Sequence, residues 1–123
     1  MNKKTQPISP HLTIYKPQIT SIMSISHRIS GFFQSIGTII IFTYILFILA
    51  GESYYDFIDI FFSNFVGKLF LLFYSLSISY HFCNGIRHLI WDLGYGFDIK
   101  NVYFSAYVTI FCTIIMSTLI WVI

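Results

Sequence analysis

Uncharged residues run unbroken from Ser30 to Ala50, from Leu69 to Gly85 and from Val102 to Ile123, and large aliphatic and aromatic side chains dominate each run. A helix needs about 20 residues, at a rise of about 1.5 Å each, to cross a hydrocarbon core, so the first and third runs span unaided. The middle run is shorter. Lys68 can snorkel at one end of it, and at the other His88, Leu89, Ile90 and Trp91 carry the pattern on to an interfacial aromatic. The pattern predicts an all-α membrane protein with one anchor domain over residues 1–123 and three transmembrane helices, about 21–50, about 65–91 and about 102–123. Gly31, Gly37, Gly67 and Gly85 lie in or beside these helices, where small residues let neighbouring backbones approach and suit a packed bundle. Residues 1–20 differ in kind: Pro7, Pro10 and Pro17 argue against a helix and for an extended N-terminal arm. A disordered tail is the alternative.

Three crossings put the termini on opposite sides. Lys3, Lys4, Lys16, Arg28, Arg87 and Lys100 then share one side, leaving Lys68 alone on the other. By the positive-inside rule the N-terminal arm lies on the cytoplasmic side, or the matrix side of a mitochondrion. A loop carrying Glu52, Asp56 and Asp59 then faces outward. Composition agrees with a lipid solvent: 56% of residues are hydrophobic, 20% aromatic and only 10% charged, where soluble domains have about a quarter charged. A net charge of +2 with scattered basic residues excludes the Lys/Arg face that nucleic acid requires. Cys83 and Cys112 sit inside apolar runs without paired ligand spacing and read as inert buried thiols. The N-terminus has neither a signal-peptide run nor an Arg-rich amphipathic helix.

Spacings of four, three and four residues place His81, Gly85, His88 and Asp92 on one helix face, continued outward by Ser77 and Tyr74. Ionisable residues at membrane depth are costly and face the bundle interior, which makes them functional candidates. One reading gives His81 to a haem iron: neutral imidazole is the ligand, Gly85 leaves room one turn away, and His88 sits roughly 10 Å nearer the surface. His27, Arg28, Arg87 and His88 would then stand where cations can neutralise propionates. The other reading has His81 hydrogen-bonded across helices to a Ser or Tyr, with His88 and Asp92 paired at the surface. Only one histidine is deep, so a haem with two axial ligands needs the second from another subunit. A further cluster, Ser24, His27, Arg28 and Gly31, opens the first helix. Arg28 is either a snorkelling topology anchor or part of a polar pocket in which a hydroxyl and a fixed cation hold a ligand's carbonyl oxygen as it gains electron density.

Three blocks carry a resemblance: Ser9-Pro10-His11-Leu12-Thr13-Ile14-Tyr15-Lys16-Pro17, Ser24-Ile25-Ser26-His27-Arg28-Ile29-Ser30-Gly31 and His81-Phe82-Cys83-Asn84-Gly85-Ile86-Arg87-His88-Leu89-Ile90-Trp91-Asp92. In order, spacing and layout of spans the chain resembles the cytochrome b556 subunits of succinate dehydrogenase, the larger membrane anchors of respiratory complex II. The family usually has Arg-Pro before the first block, where this chain has Gln6-Pro7 and so lacks that charge on the arm.

The resemblance implies a subunit that binds no succinate and has no catalytic residue of its own. It would hold an iron–sulfur subunit and a flavoprotein subunit on the inner face of a mitochondrial inner or bacterial cytoplasmic membrane. It further implies His81 as an axial ligand of haem b shared with a second small anchor, Ser24 and Arg28 at a ubiquinone site, and His27, Arg87 and His88 near the propionates. Asp92 is implied as a proton-path or structural residue. The rivals are the anchor of a quinol:fumarate reductase, a purely structural anchor without cofactor, and, more weakly, a proton-conducting protein using His81 and Asp92.

Overall fold

A computed structural model describes residues 16–122 as four helices in chain order: α1 (Ile19–Ala50), α2 (Glu52–Ser63), α3 (Phe65–Asp92) and α4 (Ile99–Val122). The first, third and fourth are long and apolar enough to cross a membrane, as the sequence predicts. The arm expected over residues 1–20 lies outside the described residues as far as Tyr15; Lys16–Gln18 is non-helical, and α1 begins at Ile19.

The acidic segment expected as a loop is helical. Glu52, Asp56, Asp59 and Ser63 fall on one face of α2 by their spacing, and Tyr54, Phe57, Ile58 and Phe61 fall opposite. Ile58 is buried, and the Phe47–Tyr54 and Tyr44–Phe62 ring pairs, with centroids 6.0 and 5.3 Å apart, hold α2 against the end of α1. The chain turns at Gly51, whose φ of +121° a side chain would strain, and its carbonyl accepts from Tyr54 N–H and Tyr55 N–H. Asn64 then starts α3, its side chain accepting from Gly67 N–H at 2.9 Å.

At the far end of α3, Tyr95 N–H donates to Ile90 carbonyl and Gly94 N–H to Trp91 carbonyl, with Gly94 at φ +85°. This is a Schellman stop, and it lets the chain reverse into α4 within six residues, 93–98.

Helix α3 is the middle element, packed against both α1 and α4, which touch each other only slightly. The interior is unlike a soluble core. Met23, Ile58 and Ala106 are the buried apolar side chains among the described residues, whereas Ser30, Ser75, Ser79, Asn84, Arg87, Thr109, Thr113 and Ser117 are buried and polar. Burying Leu gains little when lipid is as apolar as a core, so small and hydrogen-bonding side chains take the interfaces.

Thr109 and Thr113 return their hydroxyls to the carbonyls one turn back, those of Ser105 and Thr109. Ser75 bonds Ser117 at 3.1 Å and accepts from Trp121 Nε1–H at 2.9 Å. On the other side of α3, Gly37 of α1 seats Tyr74: a Cβ there would fall on the Tyr74 ring, whose hydroxyl meets Thr38 Oγ1 at 3.2 Å. The glycines at this seam therefore admit side chains rather than bringing backbones together.

Candidate functional site

The stripe read from spacing on α3 faces α1. Ser77 Oγ–H donates to Ser30 carbonyl at 3.0 Å, Gln34 Nε2–H to Ser77 carbonyl at 3.1 Å, and Tyr80 O–H to Met23 carbonyl at 2.9 Å. Within this frame His81 Nδ1 lies 3.0 Å from Ser30 Oγ and 3.2 Å from His27 carbonyl. Ser30 O–H already donates to that carbonyl at 2.7 Å, so its oxygen is free to accept. Both contacts are satisfied when Nδ1 carries the proton, which leaves Nε2 with a lone pair and no partner among the described residues.

The cross-helix hydrogen bond and metal ligation were alternatives in the sequence. The two ring nitrogens divide them, because a ligating imidazole is oriented through its other nitrogen.

His27 stacks on His81, centroids 3.9 Å apart and planes at 11°, and its own Nδ1 is buried without a partner among the described residues. His88 stands 5.4 Å from the His27 ring and edge-on to Trp91 at 5.4 Å. A Cβ on Gly31 would come within 3.0 Å of His81 Cε1, whereas one on Gly85 would meet only His27 Cε1 at 3.9 Å. Gly31 thus sets the position of the His81 ring, and Gly85 leaves space beside the His27 ring. A recess of about 460 Å³ opens beside Ser30 and Ser77, walled by Ile29, Phe33 and Phe73.

Nearer the surface, Thr20, Ser21, Ser24, Arg28, His88 and Trp91 line a second recess of about 410 Å³. Ser24 and Arg28 of α1 therefore share a hollow with His88 of α3. Arg28 is exposed, as snorkelling requires. Asp92 ends α3 and is exposed; it forms no pair with His88, and a carboxylate there opposes the helix dipole.

Arg87 is the sequence-derived candidate that the fold sets apart. It is buried on the α4 side of α3, donating to Ser105 and to Val102 carbonyl. Ser30, the brace of His81, was not singled out from the sequence beyond its place in a block. Its one available signal was its position one turn before Gln34 and three residues after His27.

In donor chemistry the residues fit one half of a haem site: an imidazole oriented through Nδ1 whose Nε2 has no partner among the described residues, with the apolar recess adjoining its brace Ser30 and not His81 itself. Among the described residues no group of three His, Cys, Asp or Glu side chains could hold a metal ion by itself.

The family model described as succinate dehydrogenase/fumarate reductase transmembrane subunit matches residues 2–120. The succinate dehydrogenase cytochrome b556 subunit of Rickettsia prowazekii (strain Madrid E) is 41% identical over 117 residues, covering 95% of this chain and 91% of the relative. The succinate dehydrogenase cytochrome b560 subunits of Marchantia polymorpha and Reclinomonas americana are 42% and 41% identical, each over 125 residues, and the alignments cover 95% and 96% of this chain and 89% and 85% of theirs.

Proposed function

Because the chain belongs to the family of succinate dehydrogenase/fumarate reductase transmembrane subunits, we propose that its α1–α3 seam binds haem b and its surface recess reduces ubiquinone. In this reading the chain is a multi-pass anchor of succinate dehydrogenase, distinct from the flavoprotein that oxidises succinate. The observation that carries the reading is the Ser24–Arg28–His88 recess lying on the same seam as the His81 imidazole, whose Nε2 is free.

His81 Nε2 would bind the iron, with Ser30 and the His27 carbonyl fixing the ring. His27, His88 and Arg28 are the basic groups on the seam suited to the propionates. When bound, haem b supplies a one-electron redox centre. A companion small anchor would supply the other residue that holds the group.

In the surface recess Ser24 O–H donates to a quinone carbonyl, and the Arg28 guanidinium stabilises the charge that builds on that oxygen. Two electrons from an iron–sulfur partner and two protons complete the quinol. Asp92, carried to the membrane surface by α3, suits the proton path. The uneven distribution of basic residues supports an N-terminus on the cytoplasmic or matrix side, where the partner subunits would dock, and the relatives' names favour succinate oxidation over fumarate reduction.

The test separates two activities of the assembled complex. Arg28→Ala is expected to lower succinate-to-quinone turnover about 100-fold, the usual cost of losing such a group. Succinate-to-dye turnover, which bypasses the anchor, should stay near wild type. Equal loss of both would assign Arg28 to assembly and favour a purely structural anchor.

A further inference from the structure

The seam with α1 does not account for Arg87. This side chain is only 4% exposed although it lies within a span. Its guanidinium donates from Nε to Ser105 Oγ at 2.9 Å, from Nη2 to Val102 carbonyl at 3.2 Å and from Nη1 to Asn84 Oδ1 at 3.4 Å, and it lies 4.0 Å from the Trp91 ring centroid. Every acceptor is neutral. Two of the five N–H groups of a guanidinium are left over, and no carboxylate acts on it among the described residues. Carbonyl and hydroxyl partners solvate this cation without neutralising it, and an anion reaching the two remaining N–H groups would do so.

Beside it, α3 and α4 part around a groove of about 360 Å³. Cys83, Ile86, Ile90, Phe104, Val108 and Cys112 wall the groove, which reaches Asn101 and Gly96 at the surface end.

We propose that this groove binds an anionic phospholipid, with the phosphate on Arg87 and one acyl chain between α3 and α4. The two halves of the site select the class together. A partner's carboxylate would answer the charge and leave the hydrocarbon-lined groove empty. A quinone would fill the groove and leave the charge. A phospholipid brings the anion at the depth of Trp91 and hydrocarbon below it. The site stands apart from the haem and quinone reading and does not depend on it.

The test uses the whole complex in nanodiscs carrying photoactivatable phosphatidylglycerol, phosphatidylcholine or ubiquinone, with peptide mapping of the label. Phosphatidylglycerol is expected to label the Phe104–Cys112 segment at least about tenfold more than phosphatidylcholine, a ratio within reach of charge-assisted hydrogen bonds. In Arg87→Gln this preference should vanish. In Val108→Trp, which fills the groove and keeps the arginine, labelling by either lipid should be lost. Equal labelling by the two lipids in wild type, preferential labelling by ubiquinone, no groove label at all, or a Val108→Trp complex labelled like wild type would each overturn the site. Where Arg87→Gln does not assemble, Val108→Trp decides.

Discussion

In His81→Ala the low-spin b-type absorption of the purified complex is expected to disappear, with haem content at least about tenfold below wild type, since second-shell losses alone cost 10–100-fold. The two ring nitrogens have separate tasks. Nδ1 is engaged by Ser30 Oγ and the His27 carbonyl, so the ring's orientation is fixed before any ligand arrives, and Nε2 is the only donor atom it can offer. Removing the imidazole removes that donor, and no other histidine of the described residues takes its place on α3 at that depth. Ser30→Ala is the informative companion: it loosens the ring while keeping the ligand, so the spectrum should persist with weaker haem retention. A wild-type spectrum in His81→Ala would refute the assignment of His81 to iron.

Gly37→Leu is expected to produce the largest loss of folded anchor. A Cβ at this position already falls on the Tyr74 ring, and the ring is braced by the Phe70 ring stacked at 5.9 Å and by the Thr38 contact. It cannot swing aside without giving these up. Overpacking of this kind costs about 1–3 kcal/mol or more, and the same displacement disturbs the turn of α3 that carries Ser77 and His81. The measurement is the amount of anchor retained in membranes. The check is rescue: adding Tyr74→Ala should restore part of the lost protein, because the collision is with that ring. A double variant no better than Gly37→Leu alone would show that Gly37 matters for another reason.

The three spans were legible because lipid imposes a single demand, an apolar helix of sufficient length, and the runs around Phe42, Leu72 and Ile114 meet it. The face holding Tyr74, Ser77, His81 and His88 was legible for the same reason, helical spacing. Helix α2 was missed although its acids are spaced as regularly as the histidine stripe and Gly51 and Asn64 punctuate its ends. Charge near a membrane surface reads first as a loop, and the apolar side with Phe57 and Phe61 gives the helix away only once the twelve residues are taken together.

The Arg87 side chain shows what spacing alone cannot supply. It neighbours His88 in sequence, but one residue turns a helix by about 100°, and which of the two flanks α4 occupies depends on how the helices cross. The role of Ser30 has the same origin. Which turn of α1 meets His81 is set by the seating of Tyr74 on Gly37, a matter of packing between helices.

The polar, small-residue interior has a calorimetric consequence. Heat capacity rises on unfolding when apolar surface passes into water and falls when polar surface does. Here the large apolar side chains, such as Ile29, Phe32 and Leu49, face outward in the fold and remain with lipid when the helices separate. The buried surfaces that part are mostly hydroxyls, glycines and amides, with a few ring contacts such as His27 on His81. Separation of these helices within a bilayer therefore carries a small heat-capacity change, and the stability of the bundle varies with temperature along a nearly straight line instead of the dome of a water-soluble domain.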